Sequence, residues 1–282
     1  MGDMTKIDWA DATWNPVTGC YHDCPYCYAR RIAQRFDGHK DKNDSNANWV
    51  TGGVDLGKHF PRVHLYDGKV PKWEWNEMTD RPDENLAYPY GFEPTIHLHR
   101  LEEPQHWRRP RNVFVCSMGD LFGAWVPDEW IIEVLNACRK APWHRYLFLT
   151  KNPERYDALE EADLITDADM NFWLGTTTTD ITKDLLHFNE ALHTFQSCEP
   201  MLAPWPPARE PNEESVRKNW LPEWVIFGAE TGNRKDKVVP EKAWVDNAVK
   251  MCRNMGAYVF MKESLREIMG DDFIQEFPWE AE

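Results

Sequence analysis

The chain has 282 residues and a formal net charge of −15, with 47 acidic and 32 basic residues. A surface this acidic repels nucleic acid at long range, which argues against a general nucleic-acid binder. Hydrophobic residues make up 42% of the chain and aromatic residues 13%, so the composition also excludes a largely disordered protein.

The sequence shows no apolar run of the roughly 20 residues that a membrane-spanning helix needs, and no secretory signal pattern. We therefore expect a cytoplasmic protein with no membrane partner. In that reducing compartment, the seven cysteines are expected to be ligands, reactive thiols or core residues rather than disulfides.

An unusual cluster of cysteines occurs in the segment GCYHDCPYCYARR, residues 19–31, which places Cys20, Cys24 and Cys27 within eight positions. Three thiolates on one loop can bind three irons of a [4Fe–4S] cluster and leave the fourth iron open to a small molecule. A structural zinc site needs a fourth ligand, for which only His22 is near. The loop therefore predicts an iron–sulfur cluster, with a zinc site as the alternative.

Residues 37–92 form a long segment that is rich in Asp, Asn, Lys, Gly and Pro and carries Trp49, Trp73 and Trp75. Irregular segments of this length are usually functional or disordered. We interpret it as an insertion after the first helix that acts as a lid or substrate-recognition element; a passive elaboration is the alternative. The run HLHRLEEPQHWRRPR, residues 97–111, is either a local basic mouth or a solvated surface loop.

Beyond residue 92, short apolar runs alternate with amphipathic helical segments, such as 127–140 and 241–255. Apolar runs of this kind suit strands that are buried on both faces, as in a parallel sheet. With a first strand near 12–17, the pattern predicts a single α/β domain over 1–282: a full or partial (β/α) TIM-like barrel of six to eight parallel strands. The apolar runs are 94–98, 112–117, 145–150, 172–176, 193–198, 224–230 and 257–262.

The cysteine pattern CxxxCxΦC, with Tyr26 as the aromatic Φ, resembles the signature of radical S-adenosylmethionine (SAM) enzymes. More closely, the chain resembles a phage-associated family called domain of unknown function 5131, and more distantly it is similar to spore photoproduct lyase. Its first cysteine spacing is tighter than in many members of that family. The segments that carry the resemblance are IDWADATWNPVTGC, CYA, SMGDLFGAWVPDEW, FLTKNPERY, FWLGTTTT, SCEPML, WVIFGAETG and VFMKES.

The resemblance implies a barrel of the radical SAM type with a [4Fe–4S] cluster and SAM as cofactors. It also implies reductive cleavage of SAM to methionine and a 5′-deoxyadenosyl radical, which abstracts hydrogen from a substrate. A one-electron donor such as flavodoxin or ferredoxin would be a partner. The expected substrate is a nucleic acid or nucleotide, with a peptide or small metabolite as the alternative. A competing interpretation is a zinc- or cluster-stabilised phage interaction module without catalysis.

In a (β/α) barrel the working residues lie at the carboxyl ends of the strands. Met118, Gly119 and Asp120 follow one predicted strand, and the resemblance assigns this turn to the SAM ammonium group. A turn-capping role for Asp120 is the alternative. Lys151 ends the next strand and is a candidate partner for the SAM carboxylate.

Five further polar residues follow later predicted strands. Thr176 and Thr178 are candidates for contacts with the SAM ribose, although threonines could equally extend the strand. Glu199, Glu230 and Lys262 would be costly to bury without partners, so we expect a polar cofactor site to face them. An internal ion pair between Lys262 and a glutamate is the alternative.

Cys116 lies at a strand end, directly before the turn expected to bind SAM. By similarity to spore photoproduct lyase, it is a candidate hydrogen-atom donor that returns hydrogen to a product radical; a small core residue is the alternative. The remaining thiols, Cys138, Cys198 and Cys252, are expected in the core.

Overall fold

The computed structural model describes residues 5–36, 62–67, 87–179, 192–205 and 222–280, and within these ranges no helix is long and apolar enough to cross a membrane. The chain divides into two compact units. The first unit comprises Met1–Ala12, Arg111–Phe114 and Arg145–Glu282, and the second comprises Thr13–Pro110 and Val115–His144.

The elements of both units form a mixed α/β fold. In chain order the strands are β1 (Ala12–Trp14), β2 (Val17–Thr18), β3 (His64–Tyr66), β4 (Thr95–His97), β5 (Asn112–Val115), β6 (Arg145–Thr150), β7 (Phe172–Thr177), β8 (His193–Cys198), β9 (Trp224–Phe227) and β10 (Tyr258–Met261). The helices are α1 (Tyr28–Arg35), α2 (Asp128–Arg139), α3 (Glu154–Glu161), α4 (Lys242–Asn254) and α5 (Arg266–Met269).

The larger sheet contains seven strands among the described residues, in the order β1-β5-β6-β7-β8-β9-β10. From β5 to β10 each strand pairs in parallel with the next strand of that order. Helices connect several of these parallel strands, as in a (β/α) barrel. The sheet is thus compatible with a partial (β/α) barrel, within the range of six to eight parallel strands that the sequence predicts.

The predicted run at 94–98 is not part of this parallel sheet. It contains β4, which pairs antiparallel with β2 and parallel with β3 in a separate three-stranded sheet. The expectation that this run joins the large sheet was therefore wrong. After β1 and a link of two residues the chain forms a second short strand, β2, and β4 pairs with β2 instead of with the large sheet. β3 lies inside the predicted insertion 37–92, most of which, including Trp49, Trp73 and Trp75, lies outside the described residues.

One core cluster of the first unit is aromatic, which explains several of the 15 tryptophans. Trp173, Phe195, Trp224 and Phe260 come from β7, β8, β9 and β10 in turn, and Trp9 packs among them. Each of these rings buries a large apolar area, so together they contribute much of the packing on this face of the sheet.

A second core cluster of the first unit lies on the opposite faces of the same strands. There α4 buries Val245, Ala248 and Cys252 in a cluster that also contains Val225 and Phe227. The alternation of Trp224, Val225, Ile226 and Phe227 between the two clusters shows that β9 is buried on both faces. This explains why the strand is continuously apolar in sequence.

Gly175 of β7 leaves room for the ring of its register partner, Phe195. A Cβ at this position would lie 2.2 Å from Phe195 Cζ and 2.7 Å from the carbonyl oxygen of Phe148. We predict that Gly175→Ala lowers the free energy of unfolding by about 1–3 kcal/mol through overpacking. The measurement is urea denaturation of the wild type and the variant.

A double-mutant cycle with Phe195→Leu supplies the control. Because the shorter side chain relieves the clash with Phe195, the cost of Gly175→Ala should fall in that background. An equal cost in both backgrounds would contradict steric overpacking as the cause.

Candidate metal centre

The cysteine loop, Gly19 to Cys27, joins β2 to α1 in the second unit. It begins at Gly19, whose φ is +87° and whose N–H donates to the carbonyl of Met118 at 2.9 Å. A Cβ at Gly19 would lie 2.3 Å from the carbonyl oxygen of Glu93. Only glycine fits this position, so the local backbone fixes where the loop starts.

Backbone N–H groups contact two of the three thiols. Cys27 is the N-cap of α1, and its Sγ accepts from the N–H of Arg30 at 3.4 Å. The Sγ of Cys20 accepts from the N–H of His22 at 3.5 Å. Such contacts, and the positive end of a helix, favour a thiolate, which is the form that binds metal. Cys24 is half-buried, as are the other two.

Burial, together with the carboxylate of Asp120, raises the pKa of Cys20 to about 12. The thiol of Cys20 is therefore protonated at neutral pH unless a cation compensates its charge. A bound metal ion supplies that charge and deprotonates a coordinating thiol. The loop thus combines a metal-binding motif with surroundings in which a thiolate requires a cation.

Among the described residues, no three His, Cys, Asp or Glu side chains converge closely enough to hold one metal ion. Sulfurs around a single zinc ion would lie about 3.8 Å apart, as follows from tetrahedral geometry and a Zn–S distance of about 2.3 Å. Thiolates of a [4Fe–4S] cluster bind separate irons and need a wider separation. The described residues thus form no ready-made site for a single metal ion.

His22 is directed toward a carboxylate. Its Nε2 lies 2.7 Å from Oδ2 of the buried Asp120, and its ring packs edge-on against Trp125 at 4.8 Å. The other oxygen of Asp120 accepts from the N–H of Phe122 at 3.1 Å. Asp120 therefore caps its own turn and also joins the cysteine loop to the segment that follows β5.

The turn after β5 is held by Asn15, which the sequence did not single out. Its buried side-chain oxygen accepts from the N–H of Met118 at 2.9 Å and from Ser117 Oγ at 3.2 Å. Gly119 forms a parallel bridge with Gly19, and a Cβ on Gly119 would lie 2.9 Å from the carbonyl oxygen of Gly19. No local pattern marks Asn15, because its partners lie about a hundred residues away in sequence.

Cys116 lies directly before this turn and has a left-handed backbone, with φ +58°. Its side chain is buried, and burial raises the pKa of the thiol to about 12. The charge of Asp120 contributes to this rise, whereas a backbone hydrogen bond from Val17 and the charge of Arg100 oppose it. The thiol is therefore an S–H group at neutral pH, which is the form that a hydrogen-atom donor needs.

Two members of the basic run 97–111 are buried in the second unit, whereas Arg108 and Arg109 of the same run are exposed. Arg100 donates from Nη1 to the carbonyl of Asn15 at 3.0 Å, and burial lowers its pKa. His97 lies with its Nε2 2.9 Å from Thr18 Oγ1, and burial lowers its pKa to about 2. His97 thus contacts β2 at the residue before the cysteine loop, and Arg100 contacts the link between β1 and β2.

In the first unit, Glu199 and Lys262 form an ion pair, which is the structural alternative that the sequence left open. They follow the carboxyl ends of β8 and β10, and Gly228 follows β9. A Cβ on Gly228 would lie 3.1 Å from Glu199 Cγ and 3.2 Å from Lys262 Cδ. Glycine at this position therefore leaves room for the pair.

Glu230 is also paired. Its carboxylate accepts from Nε and Nη2 of Arg234 at 2.6 and 2.7 Å, and from the N–H of Val238 at 3.4 Å. The hydrogen bonds from Arg234 lower the pKa of Glu230. The carboxylate is buried, and its bidentate partner offsets the cost of that burial.

The other candidate residues lie at strand ends or in the cysteine loop. Lys151 follows β6 and is half-buried, and so is Tyr26 in the loop. Thr176, in β7, is buried, as is Thr178, whose N–H donates to the carbonyl of Ser197 at 2.8 Å.

The two units divide the candidate residues. The second unit contains the three cysteines with Tyr26, Cys116, Met118, Gly119 and Asp120. The first unit contains Lys151, Thr176, Thr178, Glu199, Glu230 and Lys262. Direct hydrogen bonds join Asp120 to the cysteine loop and Glu199 to Lys262.

The family described as Protein of unknown function (DUF5131) matches residues 4–267, which is nearly the whole chain. The chain belongs to the DUF5131 family. Searches of the curated proteins and of the solved structures found no match to this DUF5131 protein.

His97 should make the stability of this DUF5131 protein dependent on pH. The unfolded state takes up a proton near pH 6.5, whereas the buried ring in the folded state does not until about pH 2. Stability should therefore fall as pH drops below 6.5, by about 2 kcal/mol between pH 7 and pH 5 from this residue alone. Urea denaturation at both pH values, on the wild type and His97→Gln, measures the difference. Equal losses in the two proteins would show that His97 is not the cause.

Proposed function

We propose that this DUF5131 protein is a radical SAM enzyme that holds a [4Fe–4S] cluster on Cys20, Cys24 and Cys27. One observation carries the proposal: the three cysteines, in CxxxCxΦC spacing, lie on one loop that follows the first strands of a fold with a seven-stranded parallel sheet. A loop of this kind provides three ligands for a four-iron cluster and leaves one iron for SAM. The barrel type proposed is accordingly that of radical SAM enzymes.

When bound, the cluster and SAM supply a 5′-deoxyadenosyl radical, with methionine as co-product, once a donor such as flavodoxin or ferredoxin has delivered an electron. The protein's part is to position groups and exclude water. The N-terminus of α1 at Cys27 and the backbone N–H of His22 beside Cys20 direct positive dipole ends toward sulfurs that would bind the cluster. The bridge between Gly19 and Gly119 holds the loop against the turn after β5.

That turn is the proposed contact for the SAM ammonium group, through backbone carbonyls of Met118 and Gly119 and the carboxylate of Asp120. The carbonyl of Met118 already accepts from Gly19, and Asp120 already binds His22. A carboxylate oxygen can accept more than one hydrogen bond, so Asp120 can serve an ammonium group and His22 together.

In the first unit, Lys151 is the proposed partner of the SAM carboxylate, and Thr176 and Thr178 are proposed to contact the ribose. Glu199, Glu230 and Lys262 are proposed to complete the polar surroundings of the cofactor. Ion pairs with each other and with Arg234 hold these side chains in position. The substrate class we propose is a nucleic acid or nucleotide, for which the net charge of −15 disfavours an extended duplex.

The test is reconstitution of the protein with iron and sulfide without oxygen, followed by addition of dithionite and SAM. We expect about four irons per chain and formation of 5′-deoxyadenosine, detected by mass spectrometry. Cys24→Ala should lose both. Cys138→Ala is the matched control, because Cys138 is a buried core thiol on α2 and should leave both unchanged.

A colourless protein that carries zinc and forms no 5′-deoxyadenosine would contradict the proposal. It would favour the alternative of a zinc-stabilised interaction module. Iron retained by Cys24→Ala at the wild-type level would also contradict it, because the iron would then be bound elsewhere.

Cys116 is proposed as the hydrogen-atom donor to a product radical. The hydrogen of its S–H group would pass to the substrate radical, leaving a thiyl radical that takes one electron and one proton from the reducing system. Alanine keeps the Cβ and the same backbone constraint at φ +58°, so Cys116→Ala removes only the thiol. The variant should cleave SAM at the wild-type rate but give stalled or scrambled product from substrate. Full turnover to the normal product would rule out this role.

A further inference from the structure

Two segments of this acidic chain contain no acidic residue at all. One residue in six of the whole chain is Asp or Glu, yet residues 104–119 and residues 134–153 have none. Each segment contains a tryptophan and exposed cations, and of the two tryptophans Trp107 is half-buried and Trp143 is exposed. A local basic surface can therefore form despite the net charge of −15.

The structure joins the basic parts of the two segments within the second unit. The indole Nε1 of Trp143 donates to the carbonyl of Trp107 at 3.1 Å. His144 Nε2 lies 3.0 Å from the carbonyl oxygen of Pro104, and the rings of Trp107 and His144 are 5.6 Å apart and nearly perpendicular. Residues about forty positions apart in sequence thus form one surface.

This surface exposes both an aromatic ring and cations. The Trp143 side chain is 45% exposed although its N–H is satisfied, so the ring is oriented by its hydrogen bond. The exposed cations closest in sequence to these contacts are Arg108 and Arg109, which follow Trp107, and Arg139 and Lys140 at the end of α2. We call Arg108, Arg109, Arg139, Lys140 and Trp143 the Trp143 patch.

We propose that the Trp143 patch binds single-stranded nucleic acid. Single strands are recognised by aromatic rings that stack on bases and by cations that track the phosphates. A duplex hides its base faces, so an exposed indole contributes to binding only when bases are unstacked. An acidic peptide would use the cations but offers no ring to stack on Trp143, and a membrane surface would require more exposed apolar area.

The patch is separate from the proposed cofactor residues along the chain. Arg108 and Arg109 precede the start of β5, and Trp143 precedes the start of β6, whereas the proposed cofactor residues of the large sheet lie at or after the carboxyl ends of strands. Binding at the patch does not depend on radical chemistry, so failure of one proposal leaves the other standing.

The test is fluorescence anisotropy of a fluorescein-labelled 20-nucleotide oligothymidine with the full-length protein, titrated at 50 to 200 mM salt. The charge-reversal variant Arg108→Glu/Arg109→Glu should bind more weakly. The slope of log K against log salt should become shallower by about 1.4, because two phosphate contacts are lost. Lys235→Glu/Lys237→Glu is the matched control, since it makes the same change in net charge at exposed residues of the first unit.

Stacking is tested by two substitutions of Trp143. Trp143→Ala should weaken binding about tenfold, whereas Trp143→Phe, which keeps a ring, should stay within about threefold of the wild type. Circular dichroism of each variant verifies that it is folded.

Three results would overturn the proposal. One is no binding at 50 mM salt. Another is equal weakening by the patch variant and by the control variant, which would indicate a net-charge effect alone. The third is wild-type affinity in Trp143→Ala, or equal affinity for a duplex of the same length, because either would show that no base stacks on the ring.

Discussion

The close approach of two glycine backbones is the constraint on which the candidate site depends. Gly19 and Gly119 meet in a bridge too tight for a side chain on Gly119, and Gly19 is also blocked by the carbonyl of Glu93. This contact fixes the start of the cysteine loop against the turn after β5. Asn15, Asp120 and His22 then add the hydrogen bonds that hold the rest of the loop. A hydrogen-bond network between segments about a hundred residues apart thereby fixes the position of the loop that carries the three thiols.

Sequence patterns predicted the elements whose identity is set by local periodicity. The bounds of β6 and β8 match the apolar runs, and α2 and α4 lie within the predicted helical segments. These elements were predictable because burial of one face or of both faces produces a characteristic spacing of apolar residues in the sequence. Which strands pair with each other depends on residues far apart in sequence, so the apolar pattern of β4 could not predict the sheet to which it belongs. The burial of His97 and Arg100 was missed for a related reason: charged residues in a basic run give no sign of the distant carbonyl or hydroxyl that accepts them.

The same distinction between local and non-local signals applies to the candidate site residues. The cysteine spacing is a local signal, and it identified the loop directly. The link from His22 to Asp120 and the pairing of Glu199 with Lys262 join residues from different strands or loops, and only the fold determines which charge meets which. Ion pairs formed in the folded state stabilise buried charges that would otherwise be costly. The polar residues after the strands are thus held in defined positions before any ligand binds.

The ring cluster of the first unit has a spectroscopic consequence. Trp224 lies within 6.3 Å of Trp9, Trp173 and Trp279, with interplanar angles from 74° to 87°. Indoles held this close in fixed, asymmetric orientations couple their electronic transitions and should dominate the near-ultraviolet circular dichroism of the protein. That signal vanishes when side-chain packing is lost even if helices and strands persist. The protein therefore contains an optical reporter of tertiary packing in its first unit, independent of any added label.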